Sequence, residues 1–274
     1  MKLNLITLFL FFQNVYAFAQ VDVIGSFSKA IEDNSYFIEE AYNQQRHNVQ
    51  HISSGLYKTT DPKLFNYSFT QEWPFFSQKH QLSYTIGFLN LESGKAKGLS
   101  DIFVNYRYQL TGHDAFVTMS PRVSLIIPSG DVKKELGDGV WGVQFNLPMS
   151  KRLSNNFAIH ANIGYTLLPN LEKTSTELTT YKSNNWSSNM GGSLIWLVTS
   201  KFNFMFEAVH YIWGSKDINN NMSIENNTIL SPGLGYGIDI KNLQIVPGLA
   251  VPFTIENGSS DMGLFFYLSF EHPF

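Results

Sequence analysis

FAIHANIGYTL, residues 157–167, decides the fold. Taken in twos, Phe157, Ile159, Ala161, Ile163, Tyr165 and Leu167 form an apolar face. His160 and Asn162 lie on the other. A period of two is the period of a strand. Soluble sandwiches and membrane barrels both alternate in this way, so the surrounding chain must choose between them.

The pattern recurs. Alternating runs fall at 48–57, 64–73, 79–90, 100–110, 114–127, 138–149, 155–167, 184–199, 202–213, 226–238, 241–252 and 262–274. In 100–110 the apolar face is Ile102, Val104, Tyr106, Tyr108 and Leu110. In 241–252 it is Leu243, Ile245, Pro247, Leu249 and Val251. The opposite faces carry Asn66, Ser68, Thr70, Gln81, Ser83, Asn105, Ser124, Gln144 and Asn146.

The connections discriminate better. They alternate from long (58–63) to short (74–78), then long (91–99), short (111–113), long (128–137) and short (150–154). The series continues long (168–183), short (200–201), long (214–225), short (239–240) and long (253–261). Outer-membrane barrels have short periplasmic turns and longer outer loops. A Greek-key sandwich gives no reason for that order. Trp73, Trp141, Trp186 and Trp196 fall on the apolar faces near predicted strand ends. Trp186 and Trp196 stand ten residues apart on one run. On a tilted strand that is roughly 23 Å of membrane normal, close to the spacing of two aromatic girdles.

Both ends of the chain fit. MKLNLITLFLFFQNVYAFA (1–19) has one lysine, an apolar run from Leu3 to Phe12 and the small-residue site Ala17-Phe18-Ala19. This pattern predicts a signal peptide cut after Ala19. The last run, with Leu264, Phe266, Leu268 and Phe270 on one face, ends on Phe274. A terminal aromatic of this kind is expected to be read by the barrel assembly machinery. The fold expected is therefore all-β: a transmembrane antiparallel up-and-down barrel of about 12 strands over 48–274, of outer-membrane type. Outer-membrane lipids would surround it.

Composition excludes several classes. There are no cysteines, hence no disulfide, thiolate metal site or cysteine nucleophile. A formal net charge of -3 gives no electrostatic case for nucleic acid. The seven histidines are scattered without ligand spacing, so no metal or cofactor is expected. The acids of PSGDVKKELGDG (128–139) lack EF-hand spacing.

Six charged residues are predicted to point inward: Glu72, Asp101, Arg107, Arg122, Glu207 and Glu271. A tight turn at 111–113 would bring Asp101 nearly opposite Arg122. Such residues could brace the wall as an ion-pair lattice or select solute at a constriction. His51-Ile52-Ser53 places a base and a hydroxyl on one strand face, but without an orienting partner. Residues 20–47 lie outside the strand pattern. Tyr36, Phe37, Glu40 and Ala41 fit one helix face; the segment is expected in the periplasm or the lumen, with a plug, a periplasmic tail and an extra strand all open.

GLSDIFVNYRYQL (98–110), PRVSLIIPSGD (121–131), GDGVWGVQFNLPMSKRL (137–153) and NIGYTLLPN (162–170) resemble one family of outer-membrane proteins. It is the family of transporters of the meta-pathway of phenol degradation. The resemblance spans roughly residues 48–274. It implies an outer-membrane channel for a small, aromatic or hydrophobic solute, and brings no catalytic residues. Two alternatives stand beside it: a closed structural or adhesive barrel acting through its outer loops, and an outer-membrane lipid hydrolase using His51 and Ser53.

Overall fold

The computed structural model describes residues 31–274 except 59–62, 92–95, 113 and 175–178. The predicted signal peptide and residues 20–30 lie outside the described residues. Fifteen strand segments form one antiparallel sheet. They are β1 (Asn48–Lys58), β2 (Leu64–Phe75), β3 (Ser77–Leu91), β4 (Ala96–Tyr108), β5 (Thr118–Met119), β6 (Arg122–Ile127), β7 (Gly142–Arg152) and β8 (Phe157–Thr174). Then follow β9 (Thr180–Leu197), β10 (Phe202–Lys216), β11 (Met222–Tyr236), β12 (Ile238–Ile240), β13 (Leu243–Ala250), β14 (Phe253–Glu256) and β15 (Ser259–Pro273).

Three of the breaks are interruptions within a strand. Pro121 separates β5 from β6 and Pro252 separates β13 from β14. Proline has no N–H for the ladder, but each carbonyl still serves it: Pro121 O accepts from Tyr108 N, and Pro252 O from Gly263 N. Gly237 separates β11 from β12. Joining these pairs leaves a closed antiparallel barrel of twelve strands. It closes where β1 pairs with β15, from Asn48↔Pro273 to Lys58↔Gly263. Closure leaves no unpaired edge, as backbone in lipid requires.

The faces sort as the alternation predicts. Ile163 is 56% exposed and Phe206 50%, on the outside with Val104, Leu125, Phe145, Leu249 and Phe266. Gln81, Ser83, Asn105, Ser124, Asn162, Ser193 and Glu207 are buried within. A soluble fold would have these faces exchanged, because buried polar groups and exposed apolar ones both cost free energy in water. Trp73, Trp141, Trp186 and Trp196 stand on the outer face, Trp73 and Trp196 near the short turns, Trp141 and Trp186 toward the opposite end.

Several expectations are corrected. The predicted outer loops 168–183 and 214–225 are mostly strand: β8 runs to Thr174, β9 starts at Thr180, β10 runs to Lys216 and β11 starts at Met222. The hairpins continue past the apolar band with polar residues that carry no amphipathic signal. The predicted loop 253–261 is a tight hairpin on Asn257-Gly258, with φ of 49° and 79°. These are the left-handed conformations that a type I′ turn demands. Residues 31–47 form no helix.

The Asp101–Arg122 pairing is also wrong. Leu110 N and Thr111 N bond to Met119 O, so the chain between them is the turn. The longer turn slides the register, and Arg107 faces Arg122 instead.

Candidate functional site

Residues 31–47 lie inside the barrel. The segment enters at the end with the short turns, where Ile31 N bonds Ser200 O and Asn203 Nδ2 donates to Ile31 O at 2.7 Å. A chain without helix or strand must still find acceptors for its buried N–H groups. Here side chains of the wall supply them. Glu207 Oε1 accepts from Tyr36 N, Phe37 N and Ile38 N at 3.1, 3.0 and 3.1 Å. Asn162 accepts from Glu39 N and donates to Glu39 O, both at 2.7 Å. Ser150 Oγ accepts from Ala41 N at 2.8 Å. Gln109 and Gln81 accept from Asn43 N and Gln44 N at 3.0 and 2.7 Å. The strand period aims each of these side chains inward.

Several carbonyls are met in the same way. Ser120 Oγ and Gln109 Nε2 donate to Ala41 O, each at 2.8 Å. His160 Nε2 donates to Glu32 O at 2.7 Å, which leaves Nδ1 to accept from the Ser150 hydroxyl at 2.7 Å. Arg107 donates to the carbonyls of Glu40 and Tyr42 at 3.0 and 2.6 Å, and to Asn43 Oδ1 at 2.9 Å. Apolar packing adds to this. The Tyr36 ring lies against Phe265 and Tyr267, with centroids 5.3 and 5.1 Å away. It fits over Gly233 and Gly248, where a Cβ would collide with it.

One acid of the segment sits at the centre. Glu39 takes Arg122 Nε at 2.8 and 3.0 Å, Arg107 Nη1 at 3.2 Å and Asn146 Nδ2 at 2.7 Å. Burial alone would raise its pKa, but Arg122 and Arg107 overcome that and hold it below the ordinary value. Two other acids of the segment lack such partners. Asp33 is pushed up to about 7, first by burial and then by the charges of Glu271 and Glu32, against a smaller opposing pull from Arg107. Glu40 rises to about 8 by burial and by Asp33.

The six predicted lumen charges are thus inside but serve different partners. Arg107 and Arg122 meet on Glu39, and Glu207 holds the segment's backbone. Glu72 lies 3.9 Å from Arg107 and accepts from Gln81. Glu271 accepts from Asn48 at 2.8 Å. Asp101 is remote from this cluster. Its two oxygens accept from Gly130 N and Asp138 N, both at 2.8 Å, and so hold the 128–141 loop against the opposite end of the barrel. Space remains inside: a cavity of about 370 Å³ lies between the segment and the wall, and one of about 980 Å³ beyond it, beneath that loop.

His51 and Ser53 face outward and are engaged elsewhere. His51 Nε2 lies 3.3 Å from His272 Nε2, and Ser53 Oγ lies 3.1 Å from the Tyr67 hydroxyl. Among the described residues no group of three or more His, Asp or Glu could hold a metal ion. Sequence reasoning missed Asn162, Ser150 and Gln109 as partners of the segment's backbone, and Glu39 as the partner of Arg107 and Arg122. Arg107 opposite Arg122 would have been the signal, had the register been right.

The closed wall, outward apolar belt and polar interior can be compared with solved structures. An outer membrane channel from Pseudomonas putida F1 superposes with a TM-score of 0.64, covering 88% of this chain and 100% of that one at 11% identity. The NanC porin gives 0.55, over 82% of this chain and 100% of its own, at 11% identity. The fold is that of outer-membrane channels. No protein-family model matches the chain, and no curated protein matches it.

Proposed function

We propose that this protein is an outer-membrane channel for a small solute, exported through a cleaved signal peptide and closed from the periplasmic side by residues 20–47. The reading rests on one observation above all. From Glu32 to Gln44 the lumenal segment is bonded to the wall through side chains. The wall keeps its own backbone ladder, so the segment can leave without unzipping a strand. A filled core of a permanently closed barrel would not need that separation.

Polar wall residues would then replace solvent around the passing molecule. The resemblance to phenol-degradation transporters makes aromatic solutes the first class to try. Single-channel conductance tests the proposal. Mature protein and protein lacking residues 20–47 are refolded and inserted in planar bilayers. The shortened chain should conduct steadily and the intact one rarely. Silence from both, in protein shown to be folded, would refute the channel reading and favour a barrel that works through its outer loops.

A further inference from the structure

We propose that Arg107 and Arg122 form a binding site for a small carboxylate, which Glu39 fills as the chain's own ligand. The proposal rests on the channel reading only for how solute reaches the lumen. Three observations carry it.

Arg107 and Arg122 are direct cross-strand partners of β4 and β6 and both point inward. Like charges placed so are destabilising. Among the described residues one wall acid pairs with them, Glu72 at 3.9 Å from Arg107, while Asp101 is committed to the 128–141 loop. The wall therefore sets two positive charges against one carboxylate, and a net positive charge is left unless an anion is bound.

The donors also converge on one carboxylate. Arg122 Nε, Arg107 Nη1 and Asn146 Nδ2 together reach both Glu39 oxygens at 2.7–3.2 Å. Charge-assisted bonds from guanidinium groups are the usual means of recognising such a group. The Arg122 side chain is itself set by Gln144, which accepts from Nη2 at 3.0 Å.

Room for the body of a ligand lies alongside. The cavity of about 370 Å³ is bounded by Arg107, Arg122, Asn146 and Tyr211. That is within the size of small-molecule sites. Asn146 Oδ1 is buried there with no hydrogen-bond partner among the described residues. An incoming carboxylate would displace Glu39, and with it one anchor of the segment.

Glu39 is tethered, so it competes at an effective concentration of roughly millimolar or higher. Removing its charge should therefore expose the site. Calorimetry on the refolded mature protein in detergent compares the native chain, Glu39→Gln and Glu39→Gln/Arg122→Gln. Benzoate is the probe, benzamide its neutral counterpart and chloride the simple-anion control. Glu39→Gln should bind benzoate roughly tenfold tighter or more than the native chain, with no such gain for benzamide or chloride. The double variant should lose the gain. Equal benzoate binding by Glu39→Gln and native protein would overturn the proposal, as would an equal gain for benzamide or chloride. The native chain gives a second readout that needs no variant: benzoate, unlike benzamide, should speed protease cleavage within 31–47, and no difference between them would also overturn it. Neither measurement depends on conductance. Benzoate binding by a silent barrel would sink the channel reading alone. A conducting barrel indifferent to benzoate would sink the carboxylate site alone.

Discussion

Replacing Glu207 with alanine should release the lumenal segment while sparing the wall. One carboxylate oxygen accepts three successive backbone N–H groups, those of Tyr36, Phe37 and Ile38. Each such bond contributes about 1 kcal/mol net, because the freed N–H finds water when the segment leaves. Losing all three should weaken docking by about 3 kcal/mol, roughly a hundredfold in the undocked population. The Glu207 side chain makes no ladder bond, so the barrel should remain closed and resist heat as before. Chymotrypsin reads the undocked population directly, since Tyr36, Phe37 and Tyr42 are inside the barrel when the segment is docked. Cleavage tracks that population when opening is fast relative to cutting. Glu207→Gln keeps an acceptor oxygen and should lie between native and alanine. A Glu207→Ala protein cut within twofold of the native rate would refute the reasoning: the segment would then be held by its apolar contacts, and the three bonds would be incidental.

Other expectations follow from the same geometry. Ile163→Arg puts a charge on the lipid face and should cost about 2–4 kcal/mol of barrel stability, seen as a loss of the folded band in unheated gels. Gly248→Leu fills the niche of the Tyr36 ring and should raise chymotrypsin cleavage of the segment without changing β13–β15 pairing. Docking should also depend on pH. Asp33 and Glu40 have raised values when docked, so they bind more protons in that state. Their contribution is full below the ordinary carboxylate range and is lost as pH rises through about 7 and about 8. Glu39, held low by its arginines, acts in the opposite sense and weakens docking only on acidification. Conductance of the intact protein should therefore rise from mildly acidic to alkaline pH, and Asp33→Asn with Glu40→Gln should flatten that rise.

The wall was legible because lipid enforces a rule on each residue separately. Ile163 must be apolar where it stands, and its neighbours Asn162 and Gly164 need not be, so the strand shows in a window of ten residues. Hairpin ends above the band were illegible for the same reason, since Glu172 and Lys182 pair across a strand in water with no apolar partner to mark them. The register between β4 and β6 failed on turn length alone. That slip hid the opposition of Arg107 and Arg122, which would otherwise have asked for an anion. In residues 31–47 the helical spacing of Tyr36, Phe37, Glu40 and Ala41 misled, because the conformation there is set by side chains distant in sequence.

Those side chains have an order of their own. The acceptors for successive backbone N–H groups come from Glu207 on β10, Asn162 on β8, Ser150 on β7, Gln109 just past β4 and Gln81 on β3. The segment thus crosses the strands in turn, advancing about one wall position for every residue or two. Strands stand about 4.8 Å apart and an extended chain advances about 3.3 Å per residue, so a path around the inner wall can meet an acceptor at that rate. Backbone cannot pair with a sheet from its face, because every ladder group already points along the sheet. Only side chains can reach a chain lying across it. A lumenal segment bound in this way has its contacts spread over many strands, none of which depends on it for pairing. On the proposed channel reading, the polar residues that hold it are those a solute would meet once it had gone, so one set of side chains would serve both the closed and the open barrel.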